Sequence, residues 1–467
     1  MAAELYSWGG VEEVTGSKHF LNVNDATVMV DCGAFQGRRE ESDRKNREWA
    51  FNCHDIDAVI LTHAHYDHSG LLPLLVARGY KNHIFSTPAT CDLASIILQD
   101  SSHIQAKDIA FLQKKANFKD QKITKEPLYN DNDVRTCMNR FIKKSYHEPF
   151  RLAAGIEANF IDAGHILGSS MAILDVTDND RKIRIGFSGD LGRKGLPIIR
   201  DPEYAVSVDY LVLESTYGNR LHKPMDMTLA LLAETINKTI LRNGKIVIPA
   251  FAIERTQELI FFIHLLNDQG KIPKIPIYID SPMAVNATTI FKKHEECFDE
   301  ETLQAFELHH ENPFGFNELH YISSKDESQA LNFLREPSII ISSSGMCESG
   351  RILHHLIHTI ADSRNTILIV GYMAENTLGR KILEKFPRVS IFNDSYPVNA
   401  EVKVLNSFSG HADYSEILDY VSHLDKAQLK KIFLVHGEKD AQDNLKKLLE
   451  EKGYAVEINK VGQKYHL

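Results

Sequence analysis

The sequence predicts an α/β protein in which one domain is inserted into another. Short apolar, β-branched runs alternate with helical patterns along most of the chain, which indicates sheets covered by helices. Histidines follow such runs early in the chain and again after residue 400, whereas the runs between them lack this feature. We therefore expect a first domain in residues 1–218 and 406–467, and an inserted α/β domain with a mostly parallel sheet in residues 219–405.

The composition is that of an ordinary globular protein. The 467 residues are enough for two to three domains. A net charge of −10 argues against a histone-like or tail-driven nucleic-acid binder and leaves room for a local basic groove. The 6 cysteines form no CxxC pair, which argues against a disulfide framework or a cysteine zinc knuckle.

The sequence gives no sign of a membrane partner. The first residues contain no basic segment followed by an apolar core. Apolar runs stay well short of the roughly 20 residues that cross a bilayer. We therefore expect a cytoplasmic protein.

The strongest functional signal is a run of four candidate metal ligands, His63, His65, Asp67 and His68. An apolar strand precedes the run and a helix start follows it, so the ligands lie on a strand-to-helix loop. Residues two apart in an extended loop face the same way, so His63 and His65 are placed to bind one cation. Asp67 and His68 are offset by the turn, and they either bind a second cation or complete the first site.

Further candidates stand at the ends of other predicted strands. Asp31 is either a turn residue or a carboxylate that orients a ligand histidine by accepting its free ring N–H. Asp190 lies between glycines, where an aspartate is usually a turn residue, and the histidine run makes a ligand role more favourable. The other strand-end candidates are His165, Glu214 and His436.

Mixed imidazole and carboxylate ligands favour zinc or a similar transition metal, because magnesium prefers oxygen. Two Zn²⁺ ions per chain fit the ligand count. Such a pair activates water and neutralises charge on a phosphoryl group, which indicates hydrolysis. We expect one ion to be held by His63, His65 and His165, and the other by Asp67, His68 and His436, with Asp190 bridging them.

These motifs resemble a known family. The HxHxDH run with His165, Asp190 and a late histidine is similar to the metallo-β-lactamase superfamily. Glu214 in LVLESTYG, His411 in SFSGHADY and His436 in FLVHGE resemble its β-CASP branch, which includes the pre-mRNA 3′-end endonuclease subunit and bacterial and archaeal ribonucleases. The resemblance implies an αββα sandwich with an inserted β-CASP cap and substrate in the cleft between the two domains.

The resemblance also implies residue roles. Glu214 would orient His411, which would contact the scissile phosphate or protonate the leaving oxygen. The sequence alone favours a plainer interpretation of His411, as a residue near the N-cap of the following helix. His436 resembles RNA-processing members of the branch. Asp67 is either a ligand or the proton acceptor for the attacking water, and the sequence leaves both open.

The inserted domain carries family-like stretches of its own. Ser343, Ser344 and Gly345 end a predicted strand just before a predicted helix at residues 348–358, where backbone N–H groups could hold a phosphate. An ordinary capped helix start is the alternative. Arg380 is a further candidate phosphate contact. The inserted domain also departs from the family pattern, because Glu254 stands where glycine is common.

The resulting expectation is a zinc-dependent ribonuclease acting on single-stranded RNA, as an endonuclease, a 5′-exonuclease or both. Two other functions are compatible with parts of the sequence. A non-catalytic RNA-binding paralogue would lack some ligands, and a hydrolase of small-molecule thioesters would not need Glu214 or His411. A homodimer is compatible with the sequence, which does not fix the oligomeric state.

Overall fold

The computed structural model describes residues 3–37, 39–117, 125–178, 181–222, 224–309, 314–371, 373, 377–405 and 408–467. The chain divides into two compact units. The first unit comprises residues 1–221 and 410–467, and the second comprises residues 222–409. None of the helices in these described ranges is both long and apolar enough to cross a membrane.

The first unit contains two seven-stranded sheets. The first sheet has the order β22-β1-β2-β3-β4-β5-β6 and the second β21-β20-β11-β10-β9-β8-β7. The strands of the first sheet are β1 (Glu4–Gly9), β2 (Lys18–Val23), β3 (Ala26–Val30), β4 (Ala58–Ile60), β5 (Ile84–Ser86), β6 (Phe141–Lys143) and β22 (Tyr465–His466). Those of the second are β7 (Phe150–Ala153), β8 (Ile156–Asp162), β9 (Ser170–Asp178), β10 (Arg181–Phe187), β11 (Tyr210–Glu214), β20 (Lys431–Val435) and β21 (Val456–Ile458).

Helices cover the outer faces of these sheets. They are α1 (Arg39–Arg47), α2 (Tyr66–Ser69), α3 (Leu72–Ala77), α4 (Pro88–Asn117), α5 (Asp131–Met138), α13 (Tyr414–Ser422) and α14 (Lys439–Glu451), with a 3₁₀ turn at Cys53–Asp55. One apolar cluster joins the facing sides of the two sheets, including Val28 and Ile60 from the first and Phe160 and Phe187 from the second. A second cluster packs the other face of the second sheet against α13 and α14. This is the αββα sandwich that the motifs predicted.

The insertion is visible in the pairing of the second sheet. β11 and β20 are far apart in sequence, yet they are parallel neighbours with Glu214 opposite Val435. Both strands are almost wholly buried and apolar, as expected for parallel strands covered on both faces. The chain therefore leaves the sheet after β11 and returns to its neighbouring position at β20.

The second unit is built around a parallel six-stranded sheet of order β14-β13-β15-β12-β16-β19. Its strands are β12 (Ile246–Pro249), β13 (Ile277–Asp280), β14 (Leu319–Tyr321), β15 (Ile339–Ser342), β16 (Thr366–Ile369) and β19 (Glu401–Val404), with a separate hairpin of β17 (Arg388–Ile391) and β18 (Asp394–Pro397). Its helices are α6 (Met225–Leu241), α7 (Arg255–Asp268), α8 (Pro282–Phe291), α9 (Glu300–His309), α10 (Lys325–Leu331), α11 (Ile352–Thr359) and α12 (Leu378–Leu383), with a 3₁₀ turn at Glu295–Cys297. The mostly parallel α/β arrangement predicted for this part is confirmed.

Glu254 occupies a strained turn at the start of α7. Its φ of 65° and ψ of −65° lie in a region that side chains with a Cβ rarely adopt, and the Arg255 N–H donates to the Ile253 carbonyl at 2.9 Å across it. The departure from the family pattern noted at this position is thus a departure from the residue that the backbone favours.

We expect Glu254→Gly to be more stable than Glu254→Ala by about 1 kcal/mol, because both lose the same side chain and only alanine keeps the strain. Urea unfolding of the two variants measures the difference. The same pair of changes at Glu234, an exposed residue within α6, should give the opposite order, since alanine is favoured in a helix by about 1 kcal/mol. Equal stabilities of the two Glu254 variants would contradict the strained turn.

Candidate metal centre

Strand ends in both sheets of the first unit deliver the candidate ligands. β8, β10, β11 and β20 all run in the same direction. β10, β11 and β20 are parallel neighbours, and β9, between β8 and β10, is antiparallel to both. Their carboxyl ends therefore meet at one edge, and β3 and β4 run parallel in the first sheet. The residues at or just beyond these ends are Asp31 (β3), His63 (β4), His165 (β8), Asp190 (β10), Glu214 (β11) and His436 (β20).

Glycines permit the close approach of these loops. Gly189 has a φ of +55°, and a Cβ there would lie 2.8 Å from the Thr62 side chain. A Cβ on Gly33 would overlap the carbonyl of Asp67. Both positions exclude larger residues, so the loops after β3, β4 and β10 pack directly against one another.

The first cluster of ligand atoms consists of His63, His65, His165 and Asp190. His63 Nε2 lies 3.1 Å from His65 Nδ1 and 3.4 Å from Asp190 Oδ2. His165 Nε2 lies 3.3 Å from His65 Nδ1 and 3.5 Å from the same carboxylate oxygen. The four atoms surround one point.

The second cluster consists of Asp67, His68 and His436. His436 Nε2 lies 3.3 Å from His68 Nε2 and 3.5 Å from Asp67 Oδ2. Asp190 joins this cluster through its other oxygen, because Oδ1 is 3.2 Å from His68 Nε2. The carboxylate of Asp190 therefore faces both clusters. Asp67 and His68 of the second cluster lie on the single-turn helix α2 and not on an extended loop.

Both clusters fit a metal ion. Ligand nitrogens in a tetrahedral shell with bonds of 2.0–2.1 Å are about 3.3 Å apart, close to the separations of 3.1 to 3.5 Å found here. Asp190 Oδ1 is buried and accepts no hydrogen bond from the described residues. Converging ring nitrogens and a carboxylate oxygen without a donor are what a cation would satisfy.

Hydrogen bonds on the far side of the rings direct the correct nitrogens inward. His68 Nδ1 lies 2.7 Å from Asp31 Oδ2, so its N–H donates to the carboxylate and Nε2 faces the cluster. His63 Nδ1 and His436 Nδ1 lie 3.1 and 3.0 Å from the hydroxyls of Thr62 and Thr216. These hydroxyls donate elsewhere, to Asp31 and to the His436 carbonyl, so the ring N–H groups donate to them.

Charge in the two clusters differs. Burial lowers the pKa of His65 to about 3 and the pKa of His165 well below its usual value, which keeps both rings in the neutral, metal-binding form. Burial acts in the same direction on His68, but the carboxylates of Asp190 and Asp31 outweigh it and raise its pKa. A metal ion bound at the second cluster must therefore displace a proton from His68.

Next to the first cluster lies a histidine–carboxylate pair. His411 Nδ1 is 3.0 Å from Glu214 Oε1, and Glu214 is fully buried and accepts the Leu191 N–H at 2.7 Å. Burial would lower the pKa of His411, but Glu214 and Asp190 raise it to about 9. The plainer interpretation also holds in part, because Asp413 caps α13 two residues later. The cap is Asp413 itself, which leaves the His411 ring to Glu214.

Three family profiles match the chain. The metallo-beta-lactamase superfamily matches residues 19–89, the Beta-Casp domain residues 256–382, and the Zn-dependent metallo-hydrolase RNA specificity domain residues 395–459. Ribonuclease TTHA0252 of Thermus thermophilus is 35% identical over 459 residues, covering 98% of this chain and 99% of that protein. The chain belongs to the β-CASP family. As a member of this branch of the metallo-β-lactamase superfamily, it is a metallo-hydrolase.

Other relatives of the β-CASP chain agree. Transcription termination factor FttA of Methanocaldococcus jannaschii is 30% identical over 461 residues, covering 96% of this chain and 69% of that protein. A solved structure of a protein of unknown function from Enterococcus faecalis V583 matches all of both chains with a TM-score of 0.55. At 12% identity, that likeness concerns the fold alone.

The predicted phosphate-binding turn of the β-CASP chain needs a correction. The helix expected at residues 348–358 begins at Ile352, so Gly345 does not stand directly before it. The Ile352 N–H donates to the Ser343 carbonyl, and the Glu348 and Ser349 N–H groups donate to Ser344 Oγ. These three N–H groups are therefore already hydrogen-bonded near the loop. The sequence pattern did not reveal the extra turn of residues 346–351, so the helix was expected too early.

Arg380 lies on α12, where Nε donates to Glu384 Oε1 at 2.6 Å. The two residues are one helical turn apart, so part of the arginine charge is neutralised locally. The backbone of α12 meets the predicted phosphate-binding turn next to it, since the Gly379 N–H donates to the Met346 carbonyl at 3.1 Å. The phosphate-binding role of Arg380 stays a prediction.

Two residues that position the ligands were missed by the sequence reasoning. Thr62 and Thr216 each accept the N–H of a ligand histidine, as described above. Thr62 immediately precedes His63, and Thr216 follows Glu214 by two residues. Their position beside strand-end candidates was a usable signal, but hydroxyl residues are too common at strand ends to stand out.

We expect Asp31→Asn to lower metal affinity by about 10–100-fold, because an amide does not stabilise the N–H of His68 as a carboxylate does. Competition with a fluorescent zinc chelator measures the affinity. Asp57→Asn is the matched control, since Asp57 is exposed and accepts only a backbone N–H from Thr27 among the contacts found. Unchanged affinity in Asp31→Asn would show that Asp31 does not orient the ligand.

Proposed function

We propose that this chain is a zinc-dependent ribonuclease that hydrolyses phosphodiester bonds of single-stranded RNA, with two zinc ions per chain. The observation that carries the proposal is the shared carboxylate of Asp190. It faces two ligand clusters at once and lies 3.8 Å from His411 Nδ1. The names ribonuclease and RNA specificity domain among the matches support RNA as the substrate.

The proposed ligands divide as the distances do. His63, His65 and His165 hold one ion, and Asp67, His68 and His436 hold the other, while Asp190 reaches both. When bound, the ions activate a water molecule and neutralise negative charge on the phosphoryl group. The chain's own residues fix the two positions before substrate arrives, because their rings are already turned inward by Asp31, Thr62 and Thr216.

Asp67 acts as a ligand in this proposal. Burial would raise the pKa of its carboxyl group, but His436, His68 and His65 hold that pKa well below its usual range. A carboxylate that gives up its proton so readily is a weak base. The general base role considered for Asp67 is therefore the less favoured of its two options.

His411 supplies the proton for the leaving oxygen. Its Nδ1–H donates to Glu214, which fixes the orientation of the ring. The water oxygen bonds to phosphorus and releases one proton to solvent. As the P–O bond to the leaving oxygen breaks, that oxygen takes the proton from His411, which solvent then protonates again. Glu214 stabilises the charged ring beforehand and holds its orientation, aided by the Leu191 and Thr216 N–H groups that fix its own carboxylate.

The domain assignment follows the same family. We propose residues 1–218 and 406–467 as the metallo-β-lactamase domain and residues 219–405 as the β-CASP domain. Ser343, Ser344, Gly345 and Arg380 are the proposed contacts to RNA phosphates. In this turn the Ser343 hydroxyl donates to Ser281 Oγ and the Ser344 hydroxyl donates to the Ser349 carbonyl, so a phosphate would have to replace these hydrogen bonds.

Incubating zinc-loaded protein with single-stranded RNA, single-stranded DNA of the same sequence and a small thioester tests the proposal. RNA should be cleaved, and the thioester should stay intact. Cleavage of the thioester with intact RNA would favour the small-molecule hydrolase. Tight RNA binding without any cleavage would favour the non-catalytic paralogue. Labelling the RNA at the 5′ end and, separately, at the 3′ end distinguishes internal cuts from stepwise removal of 5′ nucleotides.

A further inference from the structure

The second unit contains a groove that the proposed catalytic machinery does not use. Its volume is about 810 Å³, and it is lined by α10, by α11 with the loop before it, and by the turn of the β17–β18 hairpin. Two exposed aromatic side chains stand on it, Phe333 and Phe392, which are 74% and 54% exposed. Aromatic side chains of this size are normally buried, so two exposed ones on a single groove indicate a binding surface.

Each of these phenylalanines has an imidazole beside it. The Phe333 ring lies 5.5 Å from that of His358, and the Phe392 ring lies 5.0 Å from that of His354. Partial burial lowers the pKa of His358, and its ring packs against that of Phe333 at an angle of 60°. The groove therefore offers two separate aromatic platforms.

Phe392 is held in an unfavourable backbone conformation. With Asn393 it forms the two-residue turn between β17 and β18, where the φ values are 51° and 71°. Turns with two positive φ values favour asparagine or glycine, and a bulky residue there is an outlier. A phenylalanine that costs stability at the tip of a hairpin indicates that its side chain has a task.

The remaining lining is polar rather than apolar. Gln329 offers hydrogen-bonding groups and the exposed Lys325 supplies positive charge, whereas the Ser328 hydroxyl donates to Asp280 Oδ2 and Asn332 Oδ1 lies 2.9 Å from His355 Nδ1. The negative charge of Glu348 is engaged, because Oε1 accepts the Leu378 N–H. Arg351 is engaged too, since it donates to Asp280 and to the Ser323 carbonyl. Aromatic faces separated by hydrogen-bonding groups, with a cation in reach, suit unpaired nucleotides.

The groove is continuous with the predicted phosphate-binding turn. Ser349 and Gly350 line the groove, and Ser344 Oγ accepts the Ser349 N–H at 3.3 Å. One loop, residues 343–350, thus borders both features. A strand whose phosphate contacts Ser343 or Ser344 passes into this groove when it continues across the loop.

We propose that this groove binds the continuation of the single-stranded RNA substrate, with one base stacked on Phe333 and another on Phe392. The inference rests on the proposed function for the identity of the polymer. It adds an RNA-contact region within the second unit. Binding there raises affinity for long RNA and leaves the chemical step unchanged.

The test compares Phe333→Ala/Phe392→Ala with wild-type, zinc-loaded, full-length protein. For an oligouridine of about 20 nucleotides, KM should rise at least about 10-fold with kcat unchanged, whereas cleavage of a fragment of about 5 nucleotides should not change. Phe386→Ala is the matched control, because Phe386 is an exposed phenylalanine of the same unit outside the groove. An unchanged KM for the long RNA would overturn the proposal and leave the proposed function standing.

Two further readouts separate the alternatives. Photocrosslinking of 5-iodouridine RNA should label Phe333 or Phe392 in wild-type protein, and this result stands even if the protein cleaves no RNA. Absence of crosslinks in the groove would overturn the proposal. If the double variant instead changes the oligomeric state and not RNA binding, the groove is a self-association surface. Phe392→Asn should raise thermal stability while weakening RNA binding, an opposition that a purely structural role for Phe392 would not produce.

Discussion

Replacing Asp190 with alanine should remove both metal ions and reduce RNA cleavage by far more than about 100-fold, the upper effect of losing a residue that merely supports a ligand. The reason is that its two oxygens serve different clusters. Oδ2 lies within 3.5 Å of His63 and His165, and Oδ1 lies 3.2 Å from His68. Without this carboxylate, the first cluster has no counter-charge of its own and the second keeps only that of Asp67. Metal content by mass spectrometry and cleavage of labelled RNA measure the two effects.

Asp175→Ala is the control for this prediction. Asp175 is an exposed aspartate on the neighbouring strand β9, where it pairs with Arg184. It should keep full metal content and activity, since surface ion pairs contribute about 0–1 kcal/mol. An Asp190→Ala protein that still binds two ions would show that the clusters are independent sites, and the bridging role would have to be abandoned.

Replacing His411 with alanine should keep the metal content and lower the rate of RNA cleavage by about 10²–10⁴-fold, the range for losing a general acid. His411 could also join Asp190 and His436 around a metal, but its Nδ1 lies 3.0 Å from Glu214 and 3.8 Å from Asp190, and its side chain is 20% exposed. The loss should appear in kcat more than in KM. A substrate with a better leaving group should suffer less, because its departing oxygen needs the proton less.

The companion change, Glu214→Gln, should lower the rate less than His411→Ala, because the ring stays while its orienting charge is lost. If His411→Ala loses metal along with activity, the histidine is a ligand and not a proton donor. If His411→Ala slows cleavage of a substrate with a low-pKa leaving group as much as cleavage of ordinary RNA, the general acid role is wrong even though the metal content is intact.

The sequence predicted an α/β protein with an inserted domain because the alternation of apolar strands and helices is a local pattern, whereas the αββα sandwich was implied by the family resemblance. The sequence shows directly which apolar strands end in histidine or aspartate, and the carboxyl ends of parallel strands meet at one edge of a sheet. The partnership of Glu214 with His411 depends on the chain returning after the inserted unit, where the Ala412 N–H donates to the Leu191 carbonyl, and no local pattern encodes this return. That pairing came from family resemblance, and the distance between the two side chains now gives it a physical basis.

Features that depend on backbone detail were beyond the sequence. The loop of residues 346–351 delays the start of α11, because its Cys347, Glu348 and Ser349 N–H groups donate to Ser344 instead of within a helix. A signal for the strained turn at Glu254 was present in the sequence, because the family commonly has glycine there, whereas the turn at Phe392 had none. The aromatic groove was not predicted either. Phe333 and Phe392 are far apart in the chain, and the sequence does not show that they line one groove.

The central claim is that two ions held by this chain make it cleave RNA. The most direct measurement is to strip the metal from the protein, restore zinc in steps, and record bound zinc and RNA cleavage on the same samples. The account predicts two zinc ions per chain at saturation, no cleavage by the stripped protein, and cleavage that rises as the sites fill. RNA left intact by protein that carries both ions, or cleaved by protein that carries none, would contradict it.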